Sequence, residues 1–189
     1  MEIRYWTMLG CALLAGVLAG NPLLAAGPNP HWKERLRELI PLYGHRNWIV
    51  VADSAYPEQA REGIETIVSG AGQAEVLKTV LESLSAAKHV RPIVYTDAEL
   101  RYVPEQEAPG VSAYRQMLAG LFSAQKPRQL PHEQIIARLD EAAKTFRVLI
   151  LKTNLTIPYT SVFLQLDCGY WSADSEQRLR AAMKGHAGK

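Results

Sequence analysis

Apolar residues recur along this chain in two rhythms, one suited to helices and one to strands. His31 to Leu42 carries Leu36, Leu39 and Ile40 at helical spacing, and Pro41 and Gly44 close the segment. Trp48 to Ala52 reads WIVVA, a β-branched run that ends at Asp53 and predicts a buried strand. Gly63 to Ser69 predicts a second strand. Gln73 to Lys88 sets Val76, Leu77, Val80, Leu81 and Leu84 on one helical face. Val90 to Thr96 predicts a third strand, with Pro92 placing it at an edge or marking its first residues. Val111 to Ala124 and Pro131 to Thr145 are helical by spacing, the latter with Pro131 at a favoured start. Phe146 to Lys152 and Ser161 to Leu166 are further strands, joined by a turn-like loop holding Pro158.

Strands separated by helices predict one α/β domain over 31–171, with a largely parallel sheet and helices on its faces. In such folds ligands sit beyond the carboxyl ends of the strands, which places Asp53 and the segment Thr153 to Tyr159 on one rim. The stretch 172–189 is a polar, helix-prone tail expected to fray. Residues 1–26 have a different character. Arg4 gives a positive start, an apolar run follows, and the small residues Ala25, Ala26 and Gly27 close it. This is the layout of a secretory signal peptide cleaved near Ala26, which implies an exported, periplasmic protein without stable membrane insertion after cleavage. The alternative is a retained membrane anchor.

Composition narrows the chemistry. The 189 residues are 48% hydrophobic and carry 21 Lys+Arg against 19 Asp+Glu, so no phosphate-neutralising surface is implied and no nucleic-acid partner is expected. Two Cys exclude a disulfide-dense scaffold and a Cys-based zinc site. Cleavage would remove Cys11 and leave Cys168 alone. Gly70-Ala71-Gly72 lacks the rest of a phosphate loop, no His pair stands at i, i+4, and no Gly-x-Ser-x-Gly elbow is present. No metal site is expected.

Three clusters remain. Gly44-His45-Arg46-Asn47 precedes the first strand and Asp53 follows it; Thr153 to Ser161 is a polar loop between two apolar strands; His132 with Glu133 opens a helix. Each also has a plain structural role open to it: His45 and Asp53 as turn or cap residues, Tyr159 as loop packing, His132 as an exposed helix-start residue. Tyr56 and Trp171 are the aromatic candidates for stacking on a ligand, and Asp97 with Glu99 reach the same rim as a solvated acidic pair.

These clusters, in this order, resemble the D-ribose pyranase/L-fucose mutarotase (RbsD/FucU) family. The residues that carry the resemblance are Gly44-His45 through Ala52-Asp53, then Ser54-Ala55-Tyr56-Pro57, and at the far end Thr153, Pro158-Tyr159-Thr160-Ser161 and the strand finishing near Gly169. His132-Glu133-Gln134 is similar to a His-Glu-Gln of some pyranases. The resemblance implies an enzyme that interconverts anomers or ring forms of a free reducing monosaccharide, with no cofactor and no metal. It implies a ring-like homo-oligomer with sites between subunits, built here with Trp171 and the final strand. It implies His45 as proton carrier, Asp53 as its orienter or a ligand to a sugar hydroxyl, and Tyr159 as hydrogen-bond partner and relay. His132, Asn47, Ser161 and Thr153 are the substrate-binding candidates. Asn47 stands where the family usually has Asp, and Ser161 where it usually has Asn. Those two departures favour the rival reading, a non-catalytic periplasmic sugar-binding or scaffold protein on the same fold.

Overall fold

The computed structural model describes residues 28–186, so the expected signal segment 1–26 lies outside the described residues. The elements are α1 (Trp32–Leu39), β1 (Trp48–Ala52), β2 (Ile64–Val68), α2 (Gln73–Ala86), β3 (Val90–Asp97), α3 (Val111–Leu121), β4 (Arg128–Leu130), α4 (His132–Ala142), β5 (Val148–Lys152), β6 (Val162–Cys168) and α5 (Ala173–His186). The six strands form one sheet in the order β2-β5-β1-β6-β3-β4.

β1 is buried along its whole length because it is central and covered on both faces. Its side chains alternate between two cores. Ile49 and Val51 join Leu36, Val76, Leu77, Val80, Val111 and Leu118, from α1, α2 and α3. Trp48, Val50 and Ala52 face the other way, with Ile135 and Leu139 of α4, Ile150 and Phe163. The second layer thus hangs on one helix, and α4 begins at a site candidate, His132.

The sheet is mixed rather than largely parallel. β1 pairs β5 in parallel, as β2 pairs β5 and β3 pairs β4, but β6 runs antiparallel to both β1 and β3. The cause is the connection into β6. A parallel return needs a crossover of a dozen residues or more, usually a helix, and the loop 153–161 is too short for one. The reversal returns that loop to the rim where β1, β3 and β5 end.

β4 has no counterpart in the hydrophobic pattern. It is three residues, Arg-Gln-Leu, pairing only Tyr95, Thr96 and Asp97 of β3. A short polar edge strand lacks the alternation that reveals longer ones. Pro92 sits in the half of β3 that β4 leaves unpaired, where its missing N–H breaks no ladder on that side. Past Trp171 the polar tail is helical over Ala173–His186.

Candidate functional site

The carboxyl ends of β1 and β3, the start of α4 and the loop into β6 bring five side chains to one rim: Asp53, Asp97, His132, Tyr159 and Ser161. Asp53 directly follows β1. Its Oδ1 accepts the Ala55 N–H at 3.0 Å, which closes an Asx-type turn, and its Oδ2 accepts the Ser161 hydroxyl at 3.0 Å. Ser161 thus ties the start of β6 to the end of β1, with a further bond from the Asp53 N–H to Ser161 Oγ at 3.4 Å.

Asp97 is the last residue of β3, and its side chain is wholly buried. Its Oδ1 lies 3.1 Å from His132 Nδ1, while Oδ2 has no partner among the described residues. Burial pushes this carboxyl up to about 6; His132 beside it opposes the rise, and Glu99 and Asp53 add to it. His132 is the first residue of α4, and its backbone N–H donates to both oxygens of Glu99, at 3.0 and 3.1 Å. A carboxylate there satisfies a donor that the helix leaves open and lies at the favourable end of its dipole. Two acids at the end of β3 therefore fix one histidine: Glu99 holds its backbone and Asp97 its ring.

Tyr159 meets the His132 ring edge-on, with centroids 5.8 Å apart and an interplanar angle of 80°. Its φ is +59°, a left-handed conformation that side chains other than Gly, Asn and Asp seldom adopt. A tyrosine kept at such a position, 41% exposed, is a candidate for function rather than packing.

A buried polar network supports the loop from below. Gln73 donates through Nε2 to the Val51 and Thr160 carbonyls, at 3.1 and 2.9 Å, and accepts the Thr153 hydroxyl on Oε1 at 2.6 Å. The Tyr114 hydroxyl donates to the Thr160 carbonyl at 2.5 Å. Thr153 Oγ1 lies also 2.9 Å from the Ala52 carbonyl. Thr153 is therefore buried and engaged within the protein, holding the loop rather than facing a ligand. Tyr56 is buried against Phe163, so it offers no open ring face.

His45 and Asn47 stand elsewhere. They precede β1 while Asp53 follows it, and a five-residue strand at about 3.3 Å per residue keeps the two ends about 16 Å apart. His45 is exposed and lies on the side of Asp167, near the end of β6, where burial pushes the Asp167 carboxyl up but the Arg91 hydrogen bond, with lesser help from the Cys168 N–H, the Arg91 charge and His45, holds it below the usual carboxylate range. Asn47 is a turn residue: Oδ1 accepts the Gly44 N–H at 2.8 Å and Nδ2 donates to the Arg147 carbonyl at 3.1 Å. Trp171 follows β6 on that same edge, its indole N–H donating to Glu176 at 2.8 Å. Within one chain, His45 and Asn47 do not meet Asp53, Tyr159, His132 or Ser161.

No family model and no curated protein matches the sequence, but solved structures match the fold. RbsD from Bacillus subtilis, solved with D-ribose, superposes with a TM-score of 0.51 at 21% identity over 70% of this chain and 91% of that one. The chain has an RbsD-like fold. Further structures match with lower TM-scores. FucU from Bifidobacterium longum gives 0.47 at 17% identity over 71% and 94% of the two chains. The fucose mutarotase from Streptococcus pneumoniae, solved with L-fucose, gives 0.45 at 19% identity over 69% and 89%. On the RbsD-like sheet, Asp97 reaches the rim as the sequence implies but is buried rather than solvated: an Asp-x-Glu after a strand reads as exposed, and it is His132 of α4 and the pairing with Leu130 of β4 that lie against it. Gln73 was legible as a helix start but not as the hub beneath the loop. Among the described residues no group of three or more His, Cys, Asp or Glu is placed to hold a metal ion, and no helix is long and apolar enough to cross a membrane.

Proposed function

We propose that this protein binds a free reducing monosaccharide at the rim and interconverts its anomers or ring forms by acid/base ring opening. The observation that carries the reading is the convergence of His132, Tyr159, Asp53 and Ser161 at the carboxyl ends of the strands in an RbsD-like fold. Opening a hemiacetal takes a proton from the anomeric hydroxyl and gives one to the ring oxygen. Imidazole, phenol and carboxylate are groups suited to that exchange and to hydrogen-bonding sugar hydroxyls. His45 fits the same chemistry only from a second copy, because its own chain holds it at the far end of β1. A second copy offering that edge to the rim makes a heterologous, ring-forming contact, and the exposed Tyr170 and Trp171, which follow β6 at the end where β1 begins, supply apolar surface for it. We place this activity outside the cytoplasm on the strength of the segment 1–26.

One observation favours a binding-only reading. Ser161 spends its hydroxyl proton on Asp53, and Asp53 has both oxygens engaged. Saturation-transfer NMR on D-ribose, L-fucose and galactose separates the two readings. An enzyme raises the anomeric exchange rate of one of these sugars above buffer at catalytic concentrations. A protein that binds sugar while leaving the exchange rate unchanged contradicts the enzymatic reading.

A further inference from the structure

Asp97 has no part in the roles assigned above, yet it is the most constrained acid on the rim. Its side chain is fully buried, one oxygen faces His132 Nδ1 at 3.1 Å, and the other is unpartnered among the described residues. Burying a carboxylate with half its acceptors unused is costly unless something else requires it there. His132 is one-third exposed, and its Nε2 makes no hydrogen bond within the described residues. The pair therefore has one end sealed in the protein and one end open toward the side where Tyr159 stands.

Resting on the mutarotase reading of the rim, we propose that Asp97 is the positioning residue of His132: its buried carboxylate accepts the Nδ1 proton, selects the tautomer with an unprotonated Nε2, and so makes His132 the group that takes the anomeric proton. An ionised carboxylate only accepts, so the imidazole must donate through Nδ1 and keep its lone pair on Nε2. In the step itself the O1–H proton moves to Nε2, and the O1–H pair becomes the second bond of the aldehyde. The bond from C1 to the ring oxygen breaks with its pair on that oxygen, which takes a proton from His45 of a second copy. Reclosure on either face runs these moves backwards. Glu99 contributes by fixing the backbone of His132, and a carboxyl-to-imidazole bond fixes both ring position and tautomer, as in other buried carboxylate–histidine pairs.

The groups facing Asp97 are His132 from α4, Glu99 after β3, Asp53 after β1, and the phenols of Tyr56 and Tyr114, whose ionisation Asp97 opposes. Burial raises the Asp97 carboxyl to about 6, so the carboxylate that selects the tautomer is lost as pH falls through about 6. Exchange should fall with it.

The test uses the full-length chain and its Asp97→Asn variant. Imidazole 15N shifts of wild-type His132 at pH 7.5 should show the proton on Nδ1; the Nε2–H tautomer there overturns the proposal, and this reading needs no activity. In Asp97→Asn the amide can donate to Nδ1, so the tautomer should reverse. Ribose or fucose exchange should then fall about 100-fold with KM little changed, and the acid limb near pH 6 should move to lower pH. A variant that keeps the wild-type rate and pH profile overturns the proposal. Inactivity of the wild type toward every sugar, with the Nδ1–H tautomer present, counts against the mutarotase reading and leaves the Asp97–His132 geometry upheld.

Discussion

At the scale of single residues, the rim is held by bonds that leave few side chains free. Gln73 is the clearest case. Its amide joins β1, the loop into β6 and Thr153 in one buried network, so truncation removes a donor from the Val51 and Thr160 carbonyls and an acceptor from the Thr153 hydroxyl, and leaves Thr160 held by Tyr114 and Thr153 by the Ala52 carbonyl alone. Gln73→Ala should cost about 2–3 kcal/mol in urea unfolding, while an exposed change such as Lys78→Ala stays within about 0.5 kcal/mol. Loss of stability no greater than the exposed control would show that the network does not hold the loop. Asp53, Ser161 and Tyr159 were legible in the sequence because each sits at a strand end or in a polar loop between apolar runs. His132 was legible as a helix start and, through His132-Glu133-Gln134, as a substrate-binding candidate, but not as the partner of a buried acid. Asp97 was visible but misjudged, since burial of an acid comes from what covers it and not from its neighbours in the chain. Thr153 and Asn47 carry the right chemistry for sugar contact, but the protein already uses their hydrogen bonds.

Among the elements, α4 connects the core to the site. Ile135 and Leu139 anchor it beneath the sheet, and Glu99 receives its first N–H, so the position of His132 follows from packing and capping together. Glu99→Ala removes that acceptor and the favourable charge at the helix start. It should cost about 1 kcal/mol in thermal or urea unfolding, and Glu99→Gln should recover part of it. Equal stability of the alanine variant and wild type would show that solvent serves the helix end as well. Helical and strand periods sufficed to find α1 to α4 and β1, β2, β3, β5 and β6, because each buries a continuous face. They missed β4, whose three residues bury too little to leave a pattern. The direction of β6 could be read from one feature, the short loop 153–161, which the alternation of helices and strands elsewhere obscured.

For the whole molecule, the sheet has two chemically distinct edges. One holds Asp53, Asp97, His132, Tyr159 and Ser161; the other holds His45, Asn47 and Trp171. If a site uses His45 from one copy and Tyr159 from the next, inactive His45→Ala and Tyr159→Phe chains should complement each other after mixing through mild denaturation. Random mixing restores about a quarter of the sites. No recovery, with mixed oligomers verified by mass, would place both groups outside a shared site. The measurement that bears most directly on the central claim is anomeric exchange by the intact protein, followed by saturation transfer on D-ribose and L-fucose beside a His132→Ala variant of equal stability. Exchange should run well above buffer for the wild type on at least one sugar and fall about 100-fold or more in the variant. Exchange at the buffer rate for both sugars, or equal exchange by the two proteins, would contradict that claim.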